Sequence, residues 1–368
     1  MYTLGDTNTL EEVDLMQLIN VLASQSVAKI NNIDTYFNPS NYLVSPFNST
    51  QEFINGEYFL TTHQEKIKNE ILNQLKLSEC SILSIKGGAG TGKTLLTYDI
   101  AKRVLSEREV LVIHSGQLNK GQIQLRDSYG WSIIPAKEVM SQYLSKYHLI
   151  IVDEAQRIYP NQLNYLISEV RKLSNNIIFS CDRQQTLSKV EINNNVVEKI
   201  EIELTTTPYE LTNKIRTNKE VFSFIKCLFY KDSALKKYKY GNIEINYFDN
   251  CIDAKDFLEK LRVENWKIIN YTPLKYKFLP YEQYNLENEP DNAHTVIGQE
   301  FNKVVAVIDG HFYYKEGGAL STRNYKDKPY YHPTKMLFQI VSRTRLKLGV
   351  VIINNQEILD RCLEILNQ

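Results

Sequence analysis

The run Gly87-Gly88-Ala89-Gly90-Thr91-Gly92-Lys93-Thr94 fits the pattern G-x-x-x-x-G-K-[ST]. Glycines at these positions let the backbone turn tightly and aim successive N–H groups at phosphate oxygens. A helix starting at the end of the run adds its positive N-terminal dipole. Lys93 reaches β- and γ-phosphates, and the Thr94 hydroxyl is placed to bind Mg²⁺. A second acidic site follows at Leu149-Ile150-Ile151-Val152-Asp153-Glu154-Ala155-Gln156-Arg157. An apolar strand ending in two acids puts charge at a strand's carboxyl end, where open α/β sheets bind ligands. Asp153 is expected to hold the metal and Glu154 to polarise an attacking water.

The elements that must position these residues follow from hydrophobic spacing. Residues 81–85 form a short apolar strand entering the glycine run, and 94–105 a helix leaving it. Residues 110–113, 149–152 and 177–180 read as buried strands, separated by segments such as a helix over 162–173. This alternation predicts a mostly parallel sheet with helices on both faces. The pattern restarts after residue 207. Residues 220–228 read as a helix, and 266–270, 304–308 and 349–353 as strands. Upstream, Val13, Leu15, Met16, Ile19, Leu22 and Val27 have helical spacing, followed by a Pro/Asn/Ser-rich loop over 38–49. The organisation expected is an appendage over 1–50, a first domain over 51–208 and a second over 209–368.

With 368 residues, the chain exceeds what one core usually serves. Lys plus Arg and Asp plus Glu are both 43, so the zero net charge neither supports nor excludes a nucleic-acid partner. The five cysteines (Cys80, Cys181, Cys227, Cys251, Cys362) lack metal-site spacing and suit free thiols in a reducing cytosol. No run is long enough to span a bilayer, and the first residues lack a basic then apolar leader, so a cytoplasmic protein without membrane contact is expected.

With both sites placed, residues 60–350 resemble a superfamily 1 helicase motor, motif by motif and in order. Leu60-Thr61-Thr62-His63-Gln64 resembles the Q motif, which implies that Gln64 reads adenine and that the nucleotide is ATP. Residues 110–116 resemble motif Ia, implying nucleic-acid contacts from Ser115 and Asn119, with His114 beside them. Asp-Glu-Ala-Gln-Arg resembles motif II, where Gln156 would couple the γ-phosphate to the site. Ser180-Cys181-Asp182-Arg183-Gln184-Gln185 resembles motif III, implying that Gln185 senses the γ-phosphate. Leu211-Thr212-Asn213-Lys214-Ile215-Arg216-Thr217 resembles motif IV, with Arg216 reaching the γ-phosphate. His294-Thr295-Val296-Ile297-Gly298-Gln299-Glu300-Phe301 resembles motif V. His294 and Thr295 would touch the nucleic acid, and Glu300 would lie near the ribose. Val341-Ser342-Arg343-Thr344-Arg345 resembles motif VI, with Arg345 as arginine finger.

The resemblance implies two RecA-like P-loop domains with parallel sheets flanked by helices, plus the short N-terminal helical appendage. It implies an ATP hydrolase using ATP and Mg²⁺ and acting as a translocase or helicase on single-stranded DNA or RNA. Two departures stand out. No aromatic residue follows motif III for base stacking. The intervals from Ser115 to Asp153 and from Arg216 to His294 are too short for accessory domains, so the chain is similar to the minimal motors of Schlafen and defence-associated ATPases. The alternative is a regulatory ATPase that reports nucleotide state to a protein partner, such as a nuclease or a defence or repair component. A phosphotransferase is disfavoured because no acceptor pocket is evident.

Overall fold

The computed structural model of the chain describes residues 2–4, 10–12, 14–24, 44–78, 80–182, 185–186, 188–212, 218–233, 238–274, 277–326 and 329–367. Contacts divide the chain into two units, Met1–Tyr42 and Leu43–Gln368. In the first, strands β1 (Tyr2–Leu4) and β2 (Leu10–Glu12) pair antiparallel, followed by the helix Leu15–Ser24. Asp14 starts that helix: its Oδ1 accepts from the Gln17 backbone N–H at 2.7 Å, and the Gln17 side chain answers at 3.0 Å. Leu15, Met16 and Ile19 are exposed.

The second unit holds two parallel sheets. The larger comprises β3 (Ile82–Gly87), β4 (Val110–His114), β5 (Ser132–Pro135), β6 (Leu149–Asp153), β7 (Asn176–Cys181) and β8 (Tyr209–Leu211). Their spatial order is β5-β4-β6-β7-β3-β8, all parallel. The smaller comprises β9 (Ile243–Phe248), β10 (Lys267–Ile268), β11 (Phe301–Ile308) and β14 (Thr344–Ile353) in the order β10-β11-β14-β9. Between β11 and β14, β12 (Phe312–Tyr314) and β13 (Leu320–Thr322) form an antiparallel ribbon.

Strand alternation splits the core of the first sheet into two layers. Leu83, Ile85, Val110, Val112 and Ile151 face the helices Thr62–Leu77 and Lys93–Leu105. Ile82, Leu111, Ile113, Ile150 and Val152 face Pro160–Leu173 and Val196–Glu203. The second sheet has its own core, joined by Phe224, Leu258, Leu337 and Ile358 from the flanking helices. We call these two bodies lobe 1 and lobe 2.

Two details depart from the boundaries expected above. Residues 44–50, read as part of the appendage, fall in the second unit, and Val44 and Phe47 are buried in lobe 1's core. Residues 209–211, read as the start of the second domain, hydrogen-bond to β3 as the last strand of the first sheet.

Candidate nucleotide site and interlobe cleft

The glycine run lies between β3 and the helix Lys93–Leu105. Gly90 (φ 73°) and Gly92 (φ 84°) occupy left-handed backbone, and a Cβ on Gly87 would meet Leu211 O at 2.9 Å. Lys93 is buried, and its Nζ donates to the carbonyls of Gly87 (2.8 Å) and Gly88 (3.0 Å). It also lies 3.7 Å from Asp182 Oδ2. Thr91 Oγ1 donates to Gly88 O, closing the loop beside half-buried Ala89. Thr94 is buried in the first helical turn. The Gln64 carboxamide is engaged on both sides. Its Oε1 accepts from Thr61 N in a capping box, and its Nε2 donates to Thr91 O at 3.2 Å. Gln64 thus braces the loop from behind.

Asp153, the last residue of β6, is fully buried, and its Oδ2 has no hydrogen-bond partner among the described residues. His114 Nδ1 lies 3.7 Å away, equally buried and equally unpartnered. Glu154 adopts left-handed backbone (φ 56°, ψ 42°), a conformation uncommon outside glycine that costs energy and clusters at functional sites. Its Oε2 accepts from Gln156 Nε2 at 2.6 Å, while Gln156 Oε1 accepts from Asp182 N at 3.0 Å. Burial opposes the Glu154 charge. Lys93, then Arg157 and Arg343, with the Gln156 hydrogen bond, outweigh burial and hold the carboxyl below its ordinary range. Gln185 is buried, with an Oε1 that has no partner among the described residues. Its carbonyl accepts from Arg157 Nη2 at 3.1 Å.

Lobe 2 meets this cluster with the amino ends of its strands. Arg343 immediately precedes β14, and Glu300 immediately precedes β11. Arg343 is 4% exposed; burial lowers its guanidinium pKa, while Glu154 first, then Glu300 and Asp182, favour its charge. It stays protonated across physiological pH. Its Nη1 donates to Gln299 O at 3.3 Å. Arg345, expected to be the finger, is half-buried on β14, and its carbonyl accepts from Asn218 N. Arg216 lies outside the described residues. Arg343, the first arginine of the motif VI pair, is thus electrostatically coupled to the Glu154 carboxylate.

A cleft of about 760 Å³ opens between the lobes on the far side of Arg157. Lobe 1 lines it with Ser115, Lys137, Arg157 and Tyr159, and lobe 2 with His294, Thr295 and Tyr331. Ser115 N donates to Asp153 O at 3.2 Å, and its hydroxyl is buried without a partner among the described residues. Asn119 caps the helix Lys120–Tyr129 through Oδ1, with its Nδ2 equally unpartnered. The Thr295 hydroxyl is engaged locally: it accepts from Asn292 N at 2.8 Å and lies 3.2 Å from Asp291 Oδ1. His294 Nδ1 lies 2.7 Å from Thr272 Oγ1, and its ring is 4.3 Å from that of Tyr331. Burial, aided by Arg157, pushes His294 down to about 3.

Sequence reasoning gave no role to Arg157, which touches both sites. The signal for it was present in the Asp-Glu-Ala-Gln-Arg run. Two aromatic residues, Tyr159 and Tyr331, line this cleft, distant in sequence and together only in the fold. Among the described residues, no group of three or more His, Cys, Asp or Glu is placed to hold a metal, and no helix is long and apolar enough to cross a membrane.

Two parallel sheets, a phosphate loop after one strand and paired acids after another define a two-lobed RecA-like architecture. Residues 80–269 match the Schlafen group 3 DNA/RNA helicase domain, and the chain belongs to that family. No curated protein matches the chain. Among solved structures it is similar to Pif1 helicases. Against the one described as unwinding forked DNA, identity is 12% and TM-score 0.44, with 79% of this chain and 92% of that chain covered. Against Pif1 from Candida albicans the values are 13% and 0.42, covering 83% and 99%. Against Pif1 from Bacteroides with ADP-AlF3 and single-stranded DNA they are 12% and 0.44, covering 80% and 92%.

Proposed function

We propose that the chain hydrolyses ATP between its lobes and uses the cycle to move along single-stranded nucleic acid. The observation that carries this reading is the convergence on Glu154: a buried carboxylate held ionised by Lys93 of the phosphate loop and by Arg343 of the other lobe. Phosphoryl transfer needs in-line positioning and neutralisation of charge spread over the equatorial oxygens. Charges supplied from both lobes make that neutralisation depend on closure.

In this reading Lys93 leaves the Gly87 and Gly88 carbonyls for the β- and γ-phosphates, which the backbone of residues 87–92 cradles. The unpartnered Asp153 Oδ2 and the buried Thr94 fit Mg²⁺, which would neutralise phosphate charge when bound. Glu154 orients the attacking water, and Gln156 fixes the Glu154 carboxylate against the Asp182 backbone. Gln185, with its free Oε1, reads the γ-phosphate. Arg343 takes the finger role expected of Arg345; Arg216 and Glu300 keep their expected roles at the γ-phosphate and ribose. Gln64 reads adenine only by giving up its bond to Thr91. The strand lies in the cleft past Ser115, Asn119, His294 and Thr295, with Tyr159 and Tyr331 presenting rings to its bases. The chain acts in the cytoplasm.

The deciding measurement is Mg²⁺-dependent ATP turnover, titrated with single-stranded DNA and RNA at low salt. Stimulation by either strand supports the motor. Turnover unaffected by any strand would sink it.

A further inference from the structure

The segment 44–50 has no part in the site described above, yet it lies where the two lobes meet. It is a hydrogen-bonded turn: Ser49 N donates to Ser45 O, Thr50 Oγ1 donates to Pro46 O, and Phe47 N donates to Ser45 Oγ. The turn presents one large ring, Phe47, which is 6% exposed. On the lobe 1 side the ring packs edge-on against Tyr98 at 5.0 Å, in the helix that leaves the phosphate loop. It also approaches His114 edge-on at 6.4 Å, the ring beside Asp153 Oδ2. Its backbone rests directly on Gly121, where a Cβ would come within 2.2 Å of Phe47 O.

On the lobe 2 side the same ring meets Gly298. That glycine has φ 75°, and a Cβ on it would fall 2.7 Å from Phe47 Cε2. Next in the chain, Asn48 Oδ1 accepts from Glu300 N at 3.3 Å. Between these contacts lies Gln299, whose carbonyl accepts from Arg343. One ring therefore touches the turn that holds the lobe 2 arginine and the imidazole beside the lobe 1 carboxylate.

We propose that Phe47 is a positioning residue for ATP hydrolysis: wedged between the lobes, it sets where the Gly298–Glu300 turn, and with it Arg343, stands relative to Asp153 and Glu154. This rests on the ATPase reading above. The physical basis is close packing. Removing the ring leaves a void into which the turn can relax, and packed interfaces settle into discrete alternatives rather than deforming smoothly. A displacement of about 1 Å at a reacting centre is enough to cost on the order of a hundredfold in rate. Phosphate contacts from the loop itself are untouched.

The test uses the full chain with Phe47→Ala, Phe47→Leu and Gly298→Ala, read by ATP turnover, nucleotide affinity and thermal melting. Phe47→Ala is expected to lower kcat by about tenfold or more while KM for ATP shifts less than about threefold. Phe47→Leu, which refills most of the volume, is expected to recover most of the kcat. Gly298→Ala should show the same kcat loss, and in the Phe47→Ala background it should cost less, because the colliding ring is gone. A kcat unchanged in Phe47→Ala and Gly298→Ala, even with lowered melting temperature, overturns the inference and leaves the ATPase reading standing. So does a parallel loss of nucleotide affinity and kcat in Phe47→Leu. A wild-type chain that turns over no ATP overturns both.

Discussion

Nε2 of Gln156 donates to Oε2 of Glu154 at 2.6 Å. The other end of the same carboxamide accepts from the backbone of Asp182. One side chain thus locks the carboxylate after β6 to the strand end that leads to Gln185.

That lock makes two substitutions comparable. Glu154→Gln keeps the shape and removes the group that orients water. Nucleotide binding should persist while turnover falls by about a hundredfold or more. Gln156→Ala leaves Glu154 in place but frees it, so kcat should fall less, with a melting temperature lowered by the lost buried hydrogen bonds. Lys93→Ala should weaken nucleotide binding as well. Steady-state turnover beside equilibrium nucleotide binding separates the three, and near-normal turnover by Glu154→Gln would show that residue misassigned.

Arg343 and Arg345 give a sharper comparison. Arg343 has its charge coupled to Glu154. Arg343→Ala should reduce kcat by about 10³-fold, the lower range for arginine fingers, with ATP still bound by the phosphate loop. Arg345→Ala should reduce it far less. The reverse order in a single-turnover measurement would return the finger to Arg345.

The cleft predicts how strands act on the enzyme. Single strands should stimulate turnover more than duplex, with binding that weakens steeply as salt rises. Unwinding of long duplexes by the chain alone should be poor, since the intervals from Ser115 to Asp153 and from Arg216 to His294 are too short to hold a separating wedge. Ser115→Ala should reduce stimulation and leave basal turnover unchanged. Thr295→Ala should in addition cost about 1 kcal/mol of stability, because its hydroxyl braces the Asn292 turn. Strand-displacement and turnover assays on the same preparation check these outcomes.

His294 makes stability depend on pH. Its folded pKa of about 3 lies below the ordinary 6.5. Between those values the unfolded chain binds a proton that the folded chain does not. The contribution is fully present above 6.5 and is lost as pH falls toward 3, at up to about 1.4 kcal/mol per pH unit. Denaturant midpoints at about pH 7 and pH 5 should therefore differ less for His294→Gln than for the wild type. An equal difference in both would remove His294 as the cause.

The sequence alone determined what depends on local spacing. The glycine run leads straight into the helix of Lys93, and Asp153 closes one apolar strand with Glu154 next, so residue order already places these groups at strand ends. The parallel sheets were legible for the same reason, since strands buried on both faces read as unbroken apolar runs. Edge strand β9, with Glu244 and Asn246 interleaved, carries a weaker signal and was not anticipated.

The tertiary structure decided what depends on direction and long-range contact. Arg343 and Arg345 are equivalent in type and nearly so in position. What brings the charge of Arg343 to Glu154 is how β14 enters its sheet, set by pairing with β9 and β11. Gln64 looks the same in sequence whether it faces a base or caps a helix; only the fold shows its bonds to Thr61 and Thr91. Phe47 lies in a stretch of Pro, Asn and Ser that reads as loop. Its burial follows from the two glycines, Gly121 and Gly298, that leave room for it from opposite lobes. They are 177 residues apart, counting from 121 to 298, and no local pattern links them.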